Sequence, residues 1–284
     1  MRAFKHTIGW ALLIMIVLTG CASIEKAESL HRQGEKQEAL EIAISLLEDD
    51  SSTVRLRAVK LIGKNGGPKA GSALHQRLGE QDDRVRRAVV RNLGGVQYEP
   101  AMEDLADMVT ESSADMVREL ADAFKAYGKP GLDLIVSRYD SSQGSNRADY
   151  KDLLITVGPE IAGAISKLLK GRSFFENRDT FDILRSVKNP RVATLMLPYL
   201  ADEEIADQVM EAMRHLGSNA VEATITALQK QKKSGELLVT ERLIRILGLL
   251  KAKQGIEMLE SYSQHDSGRI RNAVEHSLFQ IRGF

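Results

Sequence analysis

Few side chains in this chain could start covalent chemistry. There is one cysteine, Cys21, preceded by Leu18, Thr19 and Gly20. The histidines have no His-x-x-x-His or His-Glu-x-x-His spacing, and no second cysteine exists to share a metal with them, so no metal or other cofactor is called for. The glycine-rich stretch Gly63–Gly71 carries lysine but lacks the GxxxxGK[ST] order of a phosphate cradle, and no Gly-x-Ser-x-Gly elbow occurs. The remaining chemistry is ionic. Arg55, Arg86 and Arg271 recur at one motif position, with Arg118 one place late. A guanidinium forks onto a carboxylate or a phosphate through two parallel hydrogen bonds. Recurrence therefore reads either as a ligand-binding ladder or as pairing with acids of the same or the next repeat, and pairing is the favoured reading.

Charge is unevenly distributed. Residues 51–92 hold ten Lys/Arg against three acids, and residues 99–123 hold eight acids against the single base Arg118. The favoured reading is two solvated faces that pair between neighbouring repeats. The functional reading places residues 51–92 against anionic lipid, at about 1 kcal/mol per cation near a charged membrane. On that reading Arg55, Arg57, Arg86, Arg87 and Arg91 are the candidate binding residues. The formal charge of the whole chain is zero, which argues against nucleic acid as a partner.

Cys21 closes a distinctive N-terminus. Arg2, Lys5 and His6 precede the apolar run Ile8–Leu18. That run falls well short of the roughly 18 residues a bilayer span needs, so it reads as the hydrophobic region of an export signal. Leu18-Thr19-Gly20-Cys21 resembles the lipobox of bacterial lipoproteins. The resemblance implies that residues 1–20 are removed as a signal peptide. Small residues at Thr19 and Gly20 admit the extended chain to the peptidase, and the Cys21 thiol takes diacylglycerol while its new amine is acylated. Three acyl chains at about 0.8 kcal/mol per buried CH₂ would anchor the protein stably. Ala22-Ser23 follow, with no Asp at the second position. By resemblance to enterobacterial lipoproteins this implies the outer membrane, facing the periplasm; in a Gram-positive source it implies the outer side of the plasma membrane. No Gly/Ser-rich tether follows Cys21, so the folded body is expected close to the membrane.

The elements that carry these residues repeat. Val54, Val85 and Met116 recur at one constant interval, followed a helical turn on by Ala58, Val89 and Leu120 and two turns on by Ile62, Leu93 and Phe124. Ile270, Val274 and Leu278 form a last copy. Pro68, Pro100, Pro130, Pro159 and Pro190 follow at spacings of 32, 30, 29 and 31. Spacings of four put each apolar set on one helical face, and proline suits the first turn of a second helix. A period of about 30 signals stacked helix pairs. From Asp50 to Phe284 the chain resembles short HEAT-type repeats with an Asp-x-x-Val-Arg-x-x-Ala motif. The expected fold is an all-α, right-handed α-solenoid of about eight helical hairpins. Residues 1–20 are the signal peptide, 21–49 hold the lipidated Cys and a capping hairpin, and 50–284 form the solenoid. The hairpin Ile24–Leu47 resembles part of a tetratricopeptide repeat through Ala27, Leu30, Gly34, Ala39 and Ala43, though a generic cap is the favoured reading.

Aromatics make up only 5% of the chain, so an aliphatic core is expected. Asp50–Ser52 and Asp82–Asp83 are expected to cap first helices, Gly63 and Gly66 to end one, and Pro198 to kink or end another. Ser141–Asn146 reads as a loop. The second helices offer polar candidates at Gln76–Arg77, Glu103–Asp104, Arg138–Tyr139 and Lys167–Lys170, with Phe174, Phe175 and Tyr199 as aromatics near unit junctions. With no catalytic constellation, the reading is a non-enzymatic, membrane-anchored scaffold that binds a protein partner in the bacterial cell envelope. A structural or peptidoglycan-associated lipoprotein is the alternative, and an accessory subunit of an envelope enzyme comes last.

Overall fold

The computed structural model describes residues 23–110, 112–169, 174–187 and 189–283. Leu18, Thr19, Gly20 and Cys21 lie outside them. The described residues form helices and turns without a strand, and no helix among them is long and apolar enough to cross a membrane. The fold is an all-α helical-repeat array that falls into two compact units, one ending at Tyr127 and the other beginning at Gly128, apart from Val109–Glu111, which group with the second.

In the first unit, first helices alternate with second helices. The first helices are α1 (Ile24–Gln33), α3 (Ser52–Asn65), α5 (Asp83–Gly95) and α7 (Ala114–Tyr127). The second helices are α2 (Lys36–Ser45), α4 (Gly67–His75) and α6 (Met102–Asp107). Successive first helices pack directly: α1 on α3, α3 on α5, α5 on α7. Their apolar ladders meet in the interior, where Ala58, Ile62, Val89, Leu93, Leu120 and Phe124 are fully enclosed. Val54, at the head of the ladder, is only half-buried.

The start signals act as their chemistry dictates, with one exception. Ser23 accepts from the Lys26 N–H at 3.1 Å, and Asp82 accepts from the N–H groups of Arg84 and Val85 at 2.9 and 3.3 Å. At α3 no side chain caps the helix; Asp49 instead accepts from the Ser51 N–H at 2.8 Å, forming a turn before it. Pro68 stands in the first turn of α4, and Gly34 takes the left-handed conformation (φ 90°) that ends α1.

The second unit runs α8 (Lys129–Ser141), α9 (Gly144–Val157), α10 (Ala162–Ile165), α11 (Phe174–Ser186), α12 (Pro190–Met196), α13 (Ala206–Leu216), α14 (Val221–Ser234), α15 (Leu237–Leu249), α16 (Ile256–Glu260) and α17 (Gly268–Arg282). The odd-numbered helices stack on one another from α9 to α17, and the even-numbered ones stack from α8 to α14. Pro198 acts as expected: α12 stops at Met196 and the chain tightens into a 3-10 turn, Leu197–Ala201. The expected loop Ser141–Asn146 is shorter than its composition suggests. Only Ser142 and Gln143 separate α8 from α9, because Gly144 takes a positive φ of 57° and α9 begins there. α17 presents Arg271, Glu275 and Arg282 outward, with Phe279 exposed among them.

Two devices set the spacing between repeats. Gly63 does not end α3 but lies within it, where an added Cβ would fall 1.8 Å from the Asn92 side chain. Gly94 stands likewise against the Ala123 Cα at 2.5 Å, and Gly248 against the Ser277 Cα at 2.9 Å. In all three the neighbour belongs to the next first helix along the chain. At Gly94 and Gly248 the neighbouring helix backbone comes too close for a side chain, and at Gly63 the Asn92 side chain takes the space. The second device is a tyrosine pin. Tyr127 donates to the carbonyls of Leu93 and Tyr98 at 3.2 and 3.0 Å, Tyr199 to that of Ser166 at 2.9 Å, and Tyr262 to that of Leu228 at 3.0 Å. Each hydroxyl reaches a backbone carbonyl of the preceding repeat and fastens the two repeats together. Burial raises the pKa of all three phenols, Tyr127 most.

The close approach is testable by size. Gly94→Ala sets a methyl against backbone that cannot move aside, so about 1–3 kcal/mol of stability should be lost despite alanine's better helix propensity. Gly63→Ala meets the Asn92 side chain, most of which can turn aside, rather than backbone, and should cost less. Urea unfolding of the two variants beside Gly79→Ala, where nothing lies within 4 Å, is expected to rank them in that order.

Candidate functional site

The motif arginines are fastened into the fold. Arg55 forks onto Glu80 (Nε–Oε2 3.0 Å, Nη2–Oε1 2.9 Å) and donates through Nη1 to the carbonyls of Asp49 and Asp50 at 2.8 and 3.1 Å. Glu80 is 4% exposed and also accepts from Arg77 Nη2 at 2.9 Å and from the Asp82 N–H at 3.0 Å. One arginine therefore clamps the turn before its own helix to the turn after the next. Arg271 holds the carbonyls of His265 and Asp266 in the same way at 2.7 and 2.8 Å. In the second unit Glu241 is the counterpart of Glu80: buried, bonded to Arg245 at 2.9 Å and paired with Arg269. The Arg55 hydrogen bond is the main cause that lowers Glu80 from 4.5 to about 2, against the upward push of burial.

The other predicted arginines build rungs between successive first helices. Arg57 reaches back to Glu25 at 2.6 Å and Glu28 at 2.8 Å. Arg87 reaches forward to Asp115 at 3.0 Å and Arg91 to Glu119 at 2.8 Å. Arg86 pairs with Asp83 at 3.3 Å in its own helix. Lys69–Glu41, Arg77–Glu48 and His75–Asp104 join the second-helix layer of the first unit. In the second unit Lys151 bridges Asp179 and Asp182 at 2.9 and 3.0 Å. The basic block and the acidic block thus meet across α5 and α7. Arg55, Arg57, Arg86, Arg87 and Arg91 each have an acidic partner.

The aromatic candidates are placed differently from an interface hot spot. Tyr139 is fully buried beneath the Arg147 guanidinium, 4.1 Å from the ring centroid, and Tyr199 serves as a pin. Lys167 stands 3.4 Å from Asp133. Lys170 and the side chains of Phe174 and Phe175 lie outside what the structure describes.

One concavity involves residues that sequence reasoning did not single out. A groove of about 610 Å³ runs between α12, its 3-10 extension and α14, closed at one end by α15. Leu197, Pro198, Ala223, Ala227, Val239 and Leu243 line it, with Thr194 and Thr226 between them and Arg191, Lys230, Glu222 and Glu236 around them. Leu237, 48% exposed, follows Glu236. The available signal was the small residues Ala223, Thr226 and Ala227 of α14, opposite a helix that Pro198 cuts short. Together they leave space between neighbouring second helices. Among the described residues no group of three or more His, Cys, Asp or Glu is arranged to hold a metal ion.

Residues 30–125, from α1 to α7, match a family model described as HEAT repeats. No curated protein matches the chain. Among solved structures, the chain is similar to human deoxyhypusine hydroxylase in complex with glycerol, at 18% identity over 89% of this chain and 99% of that one (TM-score 0.36). It is similar to a structure described as a phosphorylation switch in the interaction between cadherin and beta-catenin, at 12% identity over 91% and 66% (TM-score 0.36). It is also similar to importin beta in an ammonium sulfate condition, at 12% identity over 91% and 37% (TM-score 0.32).

Removing one partner from a buried pair leaves the other charge uncompensated. Arg55→Ala is expected to cost about 3 kcal/mol, the low end for such pairs because Arg77 stays in place, whereas Arg91→Ala on the surface should cost under about 1 kcal/mol. Glu80 is depressed from 4.5 to about 2, so its stabilising contribution is complete above pH 4.5 and is lost as pH falls from there towards 2. Urea unfolding across pH 6 to 3 should show that loss in the parent protein, and the Glu80→Gln variant should lack its share of the slope.

Proposed function

We propose that this chain is a lipid-anchored scaffold of the bacterial cell envelope, tethered through Cys21 to the outer membrane and facing the periplasm, and that it binds a segment of a protein partner in the α12–α14 groove. The groove carries the reading. Its apolar floor has few converging polar groups of the kind that orient a small ligand, and it is open to solvent. Charges of both signs stand around it, Arg191 and Lys230 against Glu222 and Glu236, which suits a peptide with an apolar anchor between charged residues. HEAT repeats over residues 30–125 agree with an interaction role. The anchor rests on the sequence pattern Leu18-Thr19-Gly20-Cys21 and on the start of α1 at Ile24, which leaves almost no slack between lipid and fold.

The two halves of the proposal are separable. Radiolabelled palmitate fed to expressing bacteria should appear on the protein and disappear in Cys21→Ser; label that survives the substitution removes the anchor. A photo-crosslinking amino acid at Thr194 or Thr226 should give one protein adduct of defined mass, absent when the same group is placed at Glu211 on α13 and abolished by Ala227→Arg. Equal adducts at all three positions, or recovery of cell-wall sugar alone, would favour the structural alternative.

A further inference from the structure

Of the ten cations at residues 51–92, eight hold acidic partners, among them Lys69 with Glu41 and Arg84 with Asp82. The remaining two, Lys60 and Lys64, have no hydrogen bond or salt bridge to any described residue. They stand one turn apart on α3, so they face the same way. Both line a cleft of about 300 Å³ between α1 and α3, and across it lies Arg32, likewise without a hydrogen bond or salt bridge to a described residue. His31 joins the lining with a buried Nδ1 that has no hydrogen-bond partner. The one acid in the lining, Glu28, feels the Arg32 and Lys64 charges only at a distance and is spent on Arg57 through two hydrogen bonds of 3.0 and 2.8 Å.

Elsewhere in this unit most described cations face an acid, whereas here three unpaired cations line one cleft from two helices. Even with Glu25 and Glu28 both set against Arg57, the cleft keeps an excess positive charge. Cations in the last turn of a helix complement its dipole, which accounts for Arg32 and Lys64 singly. It does not account for Lys60, one turn earlier, or for like charges placed a turn apart, an arrangement that repels. A dianionic or monoanionic phosphate, with several acceptor oxygens, fits both the size and the donor set of a guanidinium and two ammonium groups.

We propose that the α1–α3 cleft, through Arg32, Lys60 and Lys64, binds a phosphate group. Its position indicates where that phosphate could come from. Between Cys21 and Ile24 the chain can reach at most about 10 Å, and Arg32 lies about 12 Å further along α1, so an anchored protein would carry the cleft within reach of lipid headgroups. The cleft itself is independent of the partner groove, and only the headgroup source depends on the anchor.

The test reads the lysines directly. The full-length chain in nanodiscs of a phosphate-free galactolipid is treated with an amine-acylating reagent, and Lys60 and Lys64 are quantified by mass spectrometry against Lys253. Inorganic phosphate at 10 mM, or replacement of half the lipid by phosphatidylglycerol, is the variable. Acylation of both lysines should slow by about threefold, as expected when two-thirds of sites are filled. The slowing should vanish in Arg32→Gln, whose side chain has nothing to unfold. Slowing in the phosphatidylglycerol discs without added phosphate identifies a headgroup; slowing with inorganic phosphate alone identifies a soluble phosphate. If neither condition slows the two lysines, or if the slowing is undiminished in Arg32→Gln, no phosphate site exists there. The inorganic phosphate arm requires neither lipidation nor a protein partner, so its failure would leave the scaffold reading untouched.

Discussion

Successive first helices pack closely enough that at particular positions only glycine fits between them, and much of the structure follows from that constraint. At Gly63, Gly94 and Gly248 the neighbour one repeat on occupies the space a side chain would need. A contact that tight permits one register only, since sliding either helix by a residue would drive a Cβ into backbone. Once the register is set, other contacts recur at nearly the same step. Arg87 meets Asp115 and Arg91 meets Glu119 at a separation of 28, Arg57 meets Glu28 at 29, and the tyrosine pins span 29 to 34. Surface pairs of this kind are each worth at most about 1 kcal/mol. Burial of the aliphatic ladders, at about 25 cal/mol per Å², holds the helices together, and the charges select which neighbour they accept.

The buried carboxylates play a different part. Glu80 and Glu241 sit where two arginines and, for Glu80, a backbone N–H converge, so no lone pair of consequence is left unpaired. An ion pair of this sort is a poor source of stability compared with apolar residues of the same volume. It does fix geometry: Arg55 joins two interhelical turns that apolar contact would leave free to shift. At two of the three copies arginine at that motif position has a local role, satisfying the carbonyls of Asp49 and Asp50 and, in the last copy, of His265 and Asp266, whereas Arg86 pairs with Asp83 instead.

Much of this architecture was legible in the sequence, because the repeat period and the helical period are both carried by residue type. The spacing of Val85, Val89 and Leu93 names a buried face, and Pro68, Pro130 and Pro190 each open a second helix. What escaped was any property that depends on two helices at once. Gly63 reads alone as a terminator and only against Asn92 as a packing device. Ser141–Asn146 reads as a loop by composition, yet a single positive φ at Gly144 lets the helix begin there. The groove beside α14 arises from an absence of bulk on two helices, and periodicity reports bulk. The candidate arginines were legible as a class, but their interhelical partners, at separations of 25 to 32, were not.

The division between paired and unpaired surface bears on where such a protein can bind anything. Where every cation faces an acid at the repeat step, a ligand must break a pair to gain one, and the net gain is small. Binding is therefore favoured where the repeat rules lapse. One lapse is of volume: α12 is cut short by Pro198, and α14 carries small residues opposite it, so apolar floor is left uncovered. The other is of charge: Arg32, Lys60 and Lys64 meet in a cleft whose only acid is already engaged by Arg57. In each unit the regular repeats supply the frame, and its irregular place is where free energy remains to be gained from outside.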